Sequence, residues 1–197
     1  MSKGRLEAFS DGVIAILITI MVLELKVPHG ADWHALRPLT PVFFSYVLSF
    51  VFLGIYWNNH HHMLQVTQRI TGGILWANHH LLFWLSLIPF ATAWLGENHL
   101  APLPTALYGV ILLLSAIAYT TLQSAIIAAE GRGSQLASAV GSDRKGKLSM
   151  AGYAIAIPVA FVVQWLAVTL YVAVTLMWLI PDRRIEQETE TASVDEE

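Results

Sequence analysis

The sequence predicts an all-α integral membrane protein with six transmembrane helices, and two observations carry that reading. Hydrophobic residues make up 55% of the 197-residue chain and charged residues only 13%, too few charges for a soluble domain on an anchor. Apolar runs of membrane length recur along the chain, separated by stretches rich in Pro, Gly or His. The absence of cysteine excludes disulfides, thiolate metal sites and cysteine nucleophiles. Nothing in the chain suggests an enzyme active site or nucleic-acid binding.

The formal charge of -3 hides an uneven distribution. Glu186 to Glu197 holds six acids and no bases, so Met1 to Ile185 carries 11 bases against 8 acids. The division expected is a transmembrane domain over residues 1–181 and an acidic, disordered cytoplasmic tail over residues 182–197.

The first apolar run organises the rest. From Phe9 to Val27 it is nearly all aliphatic, yet Asp11 and Glu24 interrupt it. A helix beginning at Gly12 would span only about 24 Å, short of the ~30 Å hydrocarbon core, whereas a start near Gly4 gives about 36 Å. On that register Asp11 lies two turns inside the helix and needs a partner, because an ionisable group at membrane depth is costly. At about 100° per residue, Gly12, Ile16, Thr19, Ile20, Leu23 and Val27 share one stripe, and Asp11 falls roughly opposite Ile16. The run is too long for a signal-peptide core and lacks a small-residue cleavage pattern.

The later elements follow in order. Trp33 to Leu39 is expected along the membrane interface, then a second helix over Thr40 to Gln65 that turns polar in Asn58-Asn59-His60-His61-His62. A third helix is expected from Ile74 to Leu95, kinked by Pro89, and a fourth from Pro104 to Ala129. Leu148 to Ile180 is 33 residues long, about 50 Å as one helix. It reads instead as a tight hairpin turning near Val163-Gln164-Trp165, with a short fifth helix containing Pro158 and a sixth ending at Ile180-Pro181.

Six helices place both termini on one side. Nine lysines and arginines fall on that side, against Lys26 and Arg37 opposite, so the termini are expected in the cytoplasm. His60, His61, His62, His79 and His80 then lie at the depth of Asp11, where a partner for the carboxylate is at hand. His62 and one of the third-helix pair read as interfacial.

Arg5-x-x-x-Phe9-Ser10-Asp11, ahead of an aliphatic helix ending Leu23-Glu24, resembles the signature of the transmembrane protein 175 family, the endosomal and lysosomal potassium channels and their prokaryotic relatives. Tyr56-Trp57-x-Asn59-His60-His61, Trp76-Ala77-Asn78-His79-His80 and Trp178 to Ile185 extend the likeness. The resemblance implies a homotetramer in which the first helices line a central pore, with the permeant potassium ion and no cofactor. It implies a leak-type potassium channel constricted by aliphatic side chains, which by position are Ile16 and Leu23 with Thr19 between them. Gly12, Ile20 and Val27 continue that lining. It also implies a polar network of Arg5, Asp11 and His60 or His61, beside Phe9 and Ser10, that holds the pore helix. The compact single-repeat form implies the plasma membrane of a prokaryote.

Two other readings start from the same residues. Asp11 and the histidines could relay protons in a proton-coupled transporter, although no repeat relates the two halves. Histidines at one depth could also ligate a haem or a metal, although no His-x-x-x-His pair places two on one helix face. The Thr-Val-Gly-Tyr-Gly filter and arginine-repeat voltage sensor of other potassium channels are missing.

Overall fold

The computed structural model describes residues 2–131 and 133–179. The expected tail over residues 182–197 therefore lies outside the described residues. Those residues form helices α1 (Lys3–Ile20), α2 (Trp33–Leu36), α3 (Thr40–Gln65), α4 (Gly72–Ser86), α5 (Ile88–Glu97), α6 (Pro102–Glu130), α7 (Gln135–Val140), α8 (Arg144–Val159) and α9 (Gln164–Leu179). Among the described residues, four segments are long and apolar enough to cross a membrane: Lys3–Glu24, Trp33–Gln65, Gly72–Glu97 and Pro102–Glu130. Helices α8 and α9 have 16 residues each, about 24 Å, and are joined by the turn at residues 160–163.

The boundaries differ from expectation in three places, each with a local cause. The first helix tightens into a 3-10 turn over Met21–Glu24, and Leu25 is already extended, so Val27 stands beyond the helix. Pro28 follows, and a residue before proline is driven out of the helical region. The third expected helix is two helices, α4 and α5, divided at Leu87, where Pro89 lacks the N–H that would continue the ladder. The stretch after Glu130 contains α7, capped by Ser134 Oγ accepting from Ala137 N at 3.3 Å. The predicted hairpin turn falls just ahead of α9, immediately before Gln164.

In lipid the hydrophobic effect does not drive helices together, so close packing and internal hydrogen bonding must. Helix α6 is the hub, packed against α4, α5 and α8, and it buries side chains from Pro104 to Ile126. Gly109 makes room on it for Tyr171: a Cβ there would collide with the tyrosine hydroxyl, which donates to Thr105 O at 3.1 Å. Gly96 of α5 lets the backbone of α3 approach, since a Cβ would lie 2.7 Å from Val42 Cα. A buried seam of Thr92, Ser49 and Tyr108 joins α5, α3 and α6, with oxygen separations of 2.6 and 2.8 Å. Other hydroxyls, including those of Ser45, Thr67 and Thr175, donate to the carbonyl four residues back.

Gly96→Ala is expected to lose about 1–3 kcal/mol, because the α3 backbone has to move. Gly54→Ala, where nothing stands within 4 Å of the new methyl, is expected to lose nothing. Thermal unfolding in detergent compares the two, and equal melting temperatures would dismiss the close-approach explanation.

Candidate pore-lining helix and its polar anchor

Helix α1 has two unlike faces. Leu6, Ser10, Ile14, Leu17 and Met21 recur every three or four residues and are buried against α3, α4 and α5. Gly12, Ile16, Thr19, Ile20 and Leu23 lie on the other side and are exposed, Ile16 at 62% and Leu23 at 76%. Ile16 and Leu23 are seven residues apart, about two turns and about 12 Å along the axis with the 3-10 turn at Met21–Glu24 counted. Gly12 has open space where a side chain would be. Val27 is 83% exposed in the segment after the helix. The Thr19 hydroxyl donates back to Ala15 O at 3.0 Å and Ile16 O at 3.1 Å, which leaves its oxygen outward as an acceptor.

A directional run of hydrogen bonds fixes which face is hidden. His60 Nε2 lies 2.7 Å from Asn78 Oδ1, Asn78 Nδ2 donates to Ser10 Oγ at 2.9 Å, and Ser10 Oγ donates to Leu6 O at 2.9 Å. The amide oxygen can only accept, so the His60 proton sits on Nε2 and the run ends on a carbonyl of α1. Ser10, Asn78 and His60 are all buried. Around this run, Trp57 Nε1 donates to Asp11 Oδ1 at 3.0 Å, and the His61 ring stacks on Trp57 at 6.0 Å between centroids. On the neighbouring side, Phe9 stacks on His79 at 5.7 Å.

The structure thus brings Phe9, Ser10, Asp11, His60 and His61 to one junction of α1, α3 and α4, but with different partners from those expected. Asp11 meets Trp57 rather than a histidine, and His60 meets Asn78 rather than Asp11. Arg5 is exposed and forms no hydrogen bond or ion pair among the described residues. Helix geometry explains its separation, since residues six apart leave the axis about 120° from each other. Asn78 and Trp57 are the residues that sequence reasoning passed over. Asn78 shares the stripe of Ile74, Leu81, Leu82 and Leu85, an amide on an otherwise apolar buried face. Trp57 precedes His61 by four residues, the spacing at which helical side chains meet.

At the far end of α1, Lys26 Nζ lies 2.6 Å from Glu97 Oε1. Hydrogen bonding to Glu97 and its nearby charge raise the Lys26 ammonium above the usual lysine value, so Lys26 keeps its charge at neutral pH. It ties the segment after α1 to the end of α5.

Apolar helices of this length, held together by buried polar contacts, define an integral membrane protein, and comparison with known proteins supplies its family. A family model described as the endosomal/lysosomal potassium channel TMEM175 matches residues 5–89. A potassium channel of Chryseobacterium sp. (strain P1-3) is 54% identical over 95% of this chain and 97% of its own. One from Streptomyces collinus is 35% identical over 61% of this chain and 62% of its own. The crystal structure of a lysosomal potassium-selective channel TMEM175 homolog from Chamaesiphon minutus superposes with a TM-score of 0.81 at 28% identity, covering 91% of this chain and 97% of that one. The chain belongs to the TMEM175 family, a family of ion channels rather than enzymes.

Asn78→Ala is expected to cost about 1–3 kcal/mol for each partner it orphans, since Ser10 and His60 lie where water cannot replace the amide. Ser10→Ala orphans only one and is expected to cost less. Melting temperatures in detergent rank the two variants, and an unaffected Asn78→Ala would show that the run does not hold α1.

Proposed function

We propose that the chain is the subunit of a potassium-selective, leak-type channel in which α1 lines a central pore. The observation that carries this reading is the exposed stripe of Ile16, Thr19, Ile20 and Leu23 on a helix whose opposite face is pinned to its own subunit. One helix cannot enclose a path, so copies must assemble about an axis, and a homotetramer is the assembly proposed. Residues 1–181 would form one transmembrane unit in which α8 and α9 complete six crossings. Both termini would face the cytoplasm across the plasma membrane, as the surplus of lysine and arginine at that end favours.

In this arrangement Ile16 and Leu23 constrict the path and Thr19 stands between them, while Gly12 leaves the cytoplasmic mouth wide. Rings of aliphatic side chains supply no oxygens, so an ion crosses them partly dehydrated. Potassium, the larger and more weakly hydrated ion, loses less than sodium does. The Thr19 oxygen, its proton engaged by its own backbone, offers a cation an acceptor and no donor. Ile20 and Val27 line the outer half. Asp11 stands off the ion path against Trp57, so its role is to hold the helix.

Cation flux from liposomes of the purified protein, with potassium or sodium gradients and no imposed proton gradient, tests the reading. Wild type is expected to pass potassium in preference. Ile16→Asn is expected to raise conductance or weaken the preference, and unchanged permeability in that variant would count against the constriction. Flux that appears only with a pH gradient would point instead to a transporter built on Asp11 and the histidines.

A further inference from the structure

Behind α3, on the side away from α1, a crevice opens between α3, α6, α8 and α9. Counting its open mouth, it holds about 540 Å³ of empty space. Its walls include the aromatic side chains of Phe52, Tyr56, Tyr119, Tyr153 and Trp178, and among the described residues that line it Asp143 is the one that carries a carboxyl group.

The polar groups there divide into engaged and unengaged. Trp178 Nε1 donates to Ser149 Oγ at 2.8 Å, and Tyr119 Oη donates to Asn59 O at 3.3 Å. Asp143 caps α8, with Oδ1 accepting from Gly146 N at 3.1 Å, and a Cβ at Gly146 would collide with this carboxylate. Asp143 Oδ2 and the hydroxyls of Tyr56 and Tyr153 have no hydrogen-bond partner among the described residues. Aromatic faces carry negative potential and attract cations, and a carboxylate beside several of them strengthens that attraction. The chain already uses this chemistry at the rim, where Lys145 Nζ stands 5.7 Å from the centre of the Trp178 ring.

We propose that this crevice is a binding site for a small organic ammonium compound with an apolar body, the body against the aromatic walls and the ammonium on Asp143. An inorganic cation fits it poorly, because hard cations take several oxygen ligands and these walls are mostly apolar. An organic anion would meet the Asp143 charge and the negative ring faces. The site is separate from the α1 stripe, so it stands or falls independently of the pore.

Equilibrium dialysis of the purified protein against 2-phenylethylammonium and against 3-phenylpropanoate tests it, since the two probes share a ring and a short chain but carry opposite charge. The informative variant is Asp143→Asn. Asparagine caps helices as well as aspartate does and tolerates the left-handed backbone at this position, where φ is 41°, so the fold should survive, and an unchanged melting temperature checks that it has. The expected result is saturable binding of the amine, weakened about tenfold or more in Asp143→Asn, with no saturable binding of the carboxylate. Absence of saturable amine binding, amine binding unchanged in a folded Asp143→Asn, or carboxylate binding of equal strength would each overturn the assignment.

Discussion

The orientation of α1 about its own axis is the constraint on which the proposed function rests, and a short run of hydrogen bonds sets it. A mostly aliphatic helix in lipid gains little by turning one apolar side rather than another toward its neighbours. Ser10 breaks that indifference, because its oxygen receives the Asn78 amide, which His60 in turn fixes from α3. The Asp11 to Trp57 bond adds a second point one residue along. Rotating α1 by one residue, about 100°, would part both contacts and carry Ser10 away from the buried junction. The exposed stripe is therefore the geometric complement of a polar anchor.

Tight packing elsewhere makes the anchor rigid. Asn78 and His60 are useful only if α3 and α4 keep their spacing, and that spacing depends on the hub α6 and on the close approach of α5 to α3 at Gly96. The seam of Thr92, Ser49 and Tyr108 joins α5, α3 and α6 with hydroxyls instead of charges. Small residues and short hydroxyl side chains serve one end here: they bring backbones near each other and satisfy polar groups without water.

Much of this was legible in the residues, and the rest failed for identifiable physical reasons. Membrane-length apolar runs located the long helices, because burial in lipid selects composition over many residues at once. The α1 stripe was legible from its period, and its exposed side agrees with the face drawn from it. Pairings were less legible: Asp11, His60 and His61 were placed at one depth, but depth does not say which ring turns toward which helix. Asn78 and Trp57 decide that, and each looked ordinary in a row of apolar or interfacial residues. The break at Leu87 followed from Pro89, whereas α7 gave no signal, being a single capped turn and a half in a polar stretch.

The central claim, that the exposed stripe of α1 is the ion path, can be tested directly because the chain has no cysteine of its own. Potassium flux through liposomes of Thr19→Cys would be followed before and after adding silver ion, a thiol-seeking monovalent cation, with wild type and Leu176→Cys on the outer side of α9 as controls. A pore lined by this stripe predicts that silver stops flux through Thr19→Cys and leaves both controls conducting. Thr19→Cys that conducts normally and ignores silver would contradict it and place the path elsewhere in the protein.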